Sequence, residues 1–126
     1  MNITTTAISL NVPDPLASAE FAKRMFGFTE AMAADGFVSL THEDAGVNII
    51  FLATGLPTFK PARIAGSAGQ GLLIALVVDE IDAEFARIQA AGADVVTPPE
   101  TEPWGERYCQ FADPNGIVWQ LVHWEQ

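Results

Sequence analysis

The chain lacks most of what marks the specialised protein classes. One cysteine, Cys109, stands among 126 residues, so no internal disulfide can form and a reducing compartment suits it. No apolar run approaches the ~18–20 residues that a membrane-spanning helix requires, so no membrane partner is expected. Between Met1 and Val12 there is no charged region followed by a long apolar stretch; we expect no secretory signal and a cytoplasmic location. Bases are scarce: six Lys and Arg face 16 Asp and Glu, for a formal charge of −10. Nucleic-acid binding needs clustered Lys and Arg and is excluded on that ground. Glycine-rich phosphate loops, a Walker motif and a nucleophile elbow are all missing.

What is present describes a chain the size of one domain with a real core. Hydrophobic residues make up 49% and the mean hydropathy is +0.22, which excludes disorder. The charge is lopsided. Residues 1–63 carry six acids and four bases, whereas residues 64–126 carry ten acids and two bases. Such a field favours cationic or neutral partners, although acidity also serves solubility.

The pattern along the chain is a repeat of one β-α-β-β-β module, over about 1–56 and 70–126, within a single domain. Ile8, Leu10 and Val12 alternate on one strand face. Asp14-Pro15 supplies an N-cap and a first-turn proline, Ser18, Phe21, Ala22 and Met25 form a helical stripe, and Gly27 closes the helix. Strands are expected near 28–33, 36–42 and 46–53. A loop with Pro57, Pro61, Gly66 and Gly69 reads as the linker. Ile74, Leu76 and Val78 then repeat the alternation, Asp79 is the expected cap, Ile81, Phe85 and Ile88 form the stripe, and Gly92 ends it. Even the text recurs, Ala19-Glu20-Phe21-Ala22 as Ala83-Glu84-Phe85-Ala86. Strands near 93–97, 106–112 and 117–123 complete the copy, with Asp113-Pro114-Asn115-Gly116 as a β-turn. The expected fold is α+β: paired modules forming a curved mixed sheet around a cleft, helices outside. Function should sit on the sheet face turned away from the helices.

Three segments carry a family resemblance. Val12-Pro13-Asp14 through Met25-Phe26-Gly27-Phe28 resembles the opening of the vicinal-oxygen-chelate superfamily of glyoxalases, bleomycin-resistance proteins and extradiol dioxygenases. Pro103-Trp104-Gly105-Glu106-Arg107-Tyr108, followed by Phe111-Ala112-Asp113-Pro114-Asn115-Gly116, is similar in particular to the bleomycin-resistance branch. With the repeat, the resemblance covers nearly the whole chain. Metal-using members place His or Glu ligands on the first and last strands of each module. Registered on Val12-Pro13-Asp14, Asp79 and the Asp113 turn, those positions hold Ala7, Leu73 and Gln120, and the strand from Gly46 to Ala53 offers only Asn48. Alkyl groups do not coordinate and amides replace carboxylates poorly, so no metal, no other cofactor and no catalytic residue are expected.

Other chemistry is thin. His123 is out of phase with Gln120, and His42 sits beside a turn; both read as surface histidines. Cys109 reads as buried and structural. Glu100, Glu102 and Glu106 flank Trp104 as either a solvated acidic loop or the rim of a cationic site. The aromatics are the remaining signal: Trp104 in its turn, with Phe37 and Trp124, are candidate ligand contacts, whereas Trp119 is expected beneath the helices. Candidate ligand-binding residues are thus Trp104, Phe37, Asn48, Gln120, Trp124, Ala7, Leu73 and Arg107, the last of which is also a candidate for a structural ion pair. What the resemblance implies is a homodimer that sequesters a small, planar, neutral or cationic organic ligand, as in antibiotic resistance. The alternatives are a glyoxalase-like lyase or isomerase, a dioxygenase-related enzyme with an atypical site, and a module for a protein partner.

Overall fold

A computed structural model describes residues 1–68 and 70–125. It divides into two compact units, Met1–Gln70 and Gly71–Gln126. The first unit runs β1 (Ala7–Val12), α1 (Pro15–Phe26), β2 (Thr29–Ala34), β3 (Phe37–Thr41) and β4 (Asn48–Ala53), then a short 3-10 turn at Ala62–Ile64. Its sheet has the order β1-β4-β3-β2, with β1 parallel to β4 and the other pairs antiparallel. The second unit runs β5 (Leu73–Val77), α2 (Ile81–Ala90), β6 (Asp94–Thr101), β7 (Glu106–Ala112) and β8 (Val118–Trp124). Its order, β5-β8-β7-β6, repeats the first with the same parallel pair. The architecture is α+β with mixed sheets, as the repeat implies. No described helix is long and apolar enough to cross a membrane.

Side-chain period explains why each sheet has one covered face. In β1, Leu10 and Val12 are buried, and in β3 and β4 so are Val38, Leu40, Ile49 and Phe51. They meet Ser18, Phe21, Ala22 and Met25, the stripe of α1. Asp14 caps that helix by accepting from the Ala17 N–H, and Gly27, at φ +77°, provides the left-handed exit. In the second unit Ile81, Ile88, Cys109, Phe111, Trp119 and Leu121 are buried, and the Phe85 ring stacks on Phe111 at 5.4 Å.

Two expectations need correction. The cap of α2 is Glu80, one residue past Asp79, and its side chain makes no capping bond. Strand β6 continues to Thr101 rather than ending at Thr97, because Pro98 and Pro99, which lack N–H donors, lie on an edge strand with register shifts around them. The loop that joins the repeats is anchored within its described residues 57–68, Gly69 lying outside the described residues. The Asn11 side chain donates to the carbonyls of Ile64 (2.6 Å) and Gly66 (2.9 Å), the Ala68 N–H to the Asn11 carbonyl, and the Gly55 N–H to the Ala65 carbonyl. These bonds fold the loop back onto the first unit.

Candidate functional site

The faces away from the helices carry most of the candidate residues. On the first sheet Ala7 lies opposite Asn48, Ser9 opposite Ile50, and Asn11 opposite Leu52, which in turn faces Phe37. None of these is fully buried, in contrast to the intervening Leu10, Ile49 and Phe51.

On the second sheet one row is polar across three of its four strands. Gln120 lies beside Gln110, and Gln110 beside Thr97. The Thr97 hydroxyl donates to Gln110 Oε1 at 2.7 Å, and Gln110 Nε2 donates to Gln120 Oε1 at 2.8 Å. The ladder leaves the Gln120 amide N–H at its end, on the row of Ala75. The next row holds Val77, Val122 and Tyr108. Tyr108 donates to Glu102 at 2.8 Å; that bond, with burial and the charges of Glu102, Glu100 and Glu106, pushes the phenol up to about 12. At the end of the sheet Trp124 faces Glu106.

Trp104 projects beside that end. It is 65% exposed, and Trp124 is 50% exposed. The turn that carries Trp104 is stapled: the Gly105 N–H donates to the Glu102 carbonyl, the Glu125 N–H to the Gly105 carbonyl, and the Glu102 N–H to the Glu106 carbonyl. Gly105 has φ +92°, and a Cβ there would stand 2.6 Å from the Glu125 carbonyl oxygen, so only glycine fits. The indole N–H donates to Glu106 at 3.3 Å, which orients the ring and leaves its faces open.

Arg107 is the candidate that the structure puts elsewhere. It alternates with Tyr108 onto the helix side, donates to both Asp82 oxygens at 3.0 and 2.7 Å and reaches the Thr101 hydroxyl at 2.9 Å. The hydrogen bond and charge of Arg107 hold the Asp82 carboxyl below the usual carboxylate range. Arg107 is a structural residue that ties β7 to α2.

The donor set does not suit a transition metal. Ala7 and Leu73 carry no ligand atom, Asn48 and Gln120 offer neutral amides, and the Gln120 oxygen is already bonded to Gln110. Register separates them further, since Leu73 lies opposite Val118 and Gln120 opposite Ala75. Among the described residues no three His, Cys, Asp or Glu side chains are grouped to hold an ion.

Cys109, His42 and His123 have structural roles. Cys109 is fully buried and burial pushes its thiol up to about 11, which suits no nucleophile. His42 is half-buried, not on the surface. Its Nδ1 accepts from the Asp44 N–H, so Nε2–H donates to the Phe26 carbonyl at the end of α1. His123 bonds the Val78 carbonyl from the helix side of β8. Sequence reading missed two features: Gln110, whose role appears only once register aligns it with Gln120, and an open groove of about 590 Å³ between Ser9 and the loop after β4. The Pro and Gly content of that loop marks it as a linker and masks its anchoring by Asn11.

An uncharacterized protein of Mycobacterium bovis is 34% identical over 91 residues, which are 72% of this chain and 55% of that protein. The chain thus spans about half the length of the curated relatives it matches. A glyoxalase/bleomycin resistance protein/dioxygenase from Nocardioides has a crystal structure with a TM-score of 0.81 at 26% identity, covering 100% of this chain and 86% of that one. TnmS3, an antibiotic binding protein from Streptomyces sp. CB03234, has a TM-score of 0.73 at 25% identity, covering 99% of each chain. A profile of the Glyoxalase/Bleomycin resistance protein/Dioxygenase superfamily matches residues 4–121, and the chain belongs to that superfamily.

Proposed function

We propose that this protein binds a small flat organic molecule stoichiometrically and releases it unchanged. The observation that carries the reading is the stapled Trp104 turn beside Trp124: two exposed indoles at one end of a sheet. Stacking of such a ring on a planar ligand contributes ~0.5–1.5 kcal/mol beyond area burial. The Gln120 amide and the Leu73 side chain lie on the same open face, and Ala7, Asn48 and Phe37 hold the corresponding face of the first unit. Glu100, Glu102 and Glu106 favour a neutral or cationic ligand near Trp104. The likeness to TnmS3, an antibiotic binding protein, supports the same reading.

A thermal-shift screen of planar antibiotics and aromatic metabolites tests it. A ligand at about 100 times its Kd should stabilise the protein by ~2.7 kcal/mol, and chromatography of the recovered ligand should find it unaltered. Turnover of a hemithioacetal or a catechol would replace the reading with an enzymatic one.

The reading includes a homodimer. Leu73 and Val77 on the edge strand β5 are 44% and 71% exposed, a seam that a second copy would cover. Sedimentation at micromolar concentration should give twice the 13.5 kDa chain mass; a monomer alone would refute it.

A further inference from the structure

We propose that the groove of the first unit is a second binding site, which takes a small organic acid with an apolar body and holds its acidic group on Arg63. The proposal uses no residue of the Trp104 region; its groove residues Asn11 and Leu52 share a row with Phe37 on the open face of the first unit, and the test separates the groove from Trp104.

The first argument is charge. From Ala45 to Val78 the chain has no Asp or Glu, yet it carries Lys60 and Arg63, both in the loop after β4. Three other bases are paired with acids: Lys23 with Glu20 and Glu30, Arg87 with Glu84, Arg107 with Asp82. Among the described residues neither Lys60 nor Arg63 makes an ion pair or hydrogen bond. In a chain of net charge −10, this is where an anion meets least repulsion and finds a guanidinium with free donors.

The second argument is shape. Arg63 lines the groove of about 590 Å³ together with Leu52, Phe59 and Ile64, while Ser9 and Ser67 line it with hydroxyls. That size lies within the ~300–1,000 Å³ usual for small-molecule sites. Apolar walls exclude a bare inorganic anion as the natural occupant and suit a ring or short chain. The hydroxyls and the Asn11 Oδ1, whose amide N–H groups are both engaged by the loop, would meet polar substituents.

The third argument is preorganisation. The Asn11 bonds to Ile64 and Gly66, the Ala68–Asn11 bond and the Gly55–Ala65 bond fix the loop directly after Arg63. Little ordering is left for a ligand to impose.

The test uses the full chain and three ring-matched probes: naphthoate, naphthamide and naphthylmethylammonium, titrated by calorimetry. Naphthoate should bind more tightly than naphthamide. Arg63→Gln should weaken naphthoate about tenfold or more, as loss of a charge-assisted pair does, and leave naphthamide unchanged. Ser67→Asp, which sets a carboxylate in the groove, should do the same. Trp104→Ala should leave naphthoate affinity intact. Melting curves should show Arg63→Gln and Ser67→Asp folded, since both positions are exposed. Absence of naphthoate binding, equal affinity in wild type and Arg63→Gln, or loss of binding in Trp104→Ala instead, would each overturn the proposal. None of these results bears on whether planar antibiotics bind at Trp104.

Discussion

The two units share one topology and hold it by different means. The first is organised around its helix. Asp14 caps the start of α1, Gly27 turns its end, and His42 satisfies the Phe26 carbonyl. The second is organised around its strands and turns. Its helix has no side-chain cap and buries fully only Ile81 and Ile88. In compensation Asp113, itself buried, accepts from the N–H groups of Asn115 and Ile117 and from the Trp119 indole, and the Gly105 turn is stapled to Glu125. When stability moves from helix ends to turn geometry, turns become rigid enough to present side chains outward. Trp104 is displayed by the unit whose turns are fixed.

The sharpest way to break this comparison is to remove one capping carboxylate from each unit. In Asp113→Ala the Ile117 and Trp119 donors lose a buried acceptor, and each such loss costs ~1–3 kcal/mol, so the total should reach about 3 kcal/mol or more. Asp14→Ala should cost ~1 kcal/mol, the ordinary value for an exposed N-cap. Urea denaturation measures both. Equal losses would mean that the two units do not divide the labour as described.

The same division explains what the sequence discloses. Helix-centred order is local, so Asp14, Pro15, the Ser18–Met25 stripe and Gly27 can be read within a dozen residues. The Asp113-Pro114-Asn115-Gly116 turn is equally local. Order that depends on register is not. Gln110 looks like any polar strand residue until β7 is aligned with β8, and the Arg107–Asp82 pair joins residues 25 positions apart. Pro98 and Pro99 argue against a strand unless it is known to be an edge. His42 beside a turn gave no sign that the ring reaches back to helix α1. Of the candidate site, the exposure of Trp104 followed from its turn, whereas its staple to Glu125 depends on a chain segment twenty residues away.

A second contrast lies within the second unit, between the open face and the helix face. Trp104→Ala should weaken binding of a screened planar ligand about tenfold, equivalent to ~1.4 kcal/mol, with an unchanged melting curve. Arg107→Ala should do the reverse, leaving affinity intact while lowering stability slightly, because the Asp82 half of its pair is largely exposed and screened by solvent. The pair's pH dependence has a definite sign. Asp82 is held below its ordinary pKa of 3.8, so its contribution is present above that value and fades as pH falls through the lowered one. The Arg107 variant should lose this acid-side component. If its affinity fell with its stability unchanged, Arg107 would return to the ligand site.

The smallest expected effect is the cleanest to read, because Tyr108 is the only tyrosine in the chain. Its hydroxyl donates to Glu102 on the open side of the sheet, and ionising it would place a phenolate against that carboxylate. The folded protein should therefore show phenolate absorbance rising near pH 12, whereas the unfolded chain titrates near 10. The folded value is the higher one, so this contribution to stability is complete below pH 10 and is lost as pH rises toward 12. Glu102→Gln removes the charge and should bring the titration back toward 10, even if the amide still accepts the bond. Glu43→Gln, in the turn beside His42 of the first unit, should not move it. Coincident titrations in wild type and Glu102→Gln would show that the Glu102 charge does not raise the phenol. The carboxylates around Trp104 would then be ordinary solvated charges, and the electrostatic preference for a cationic ligand near that turn would lose its footing.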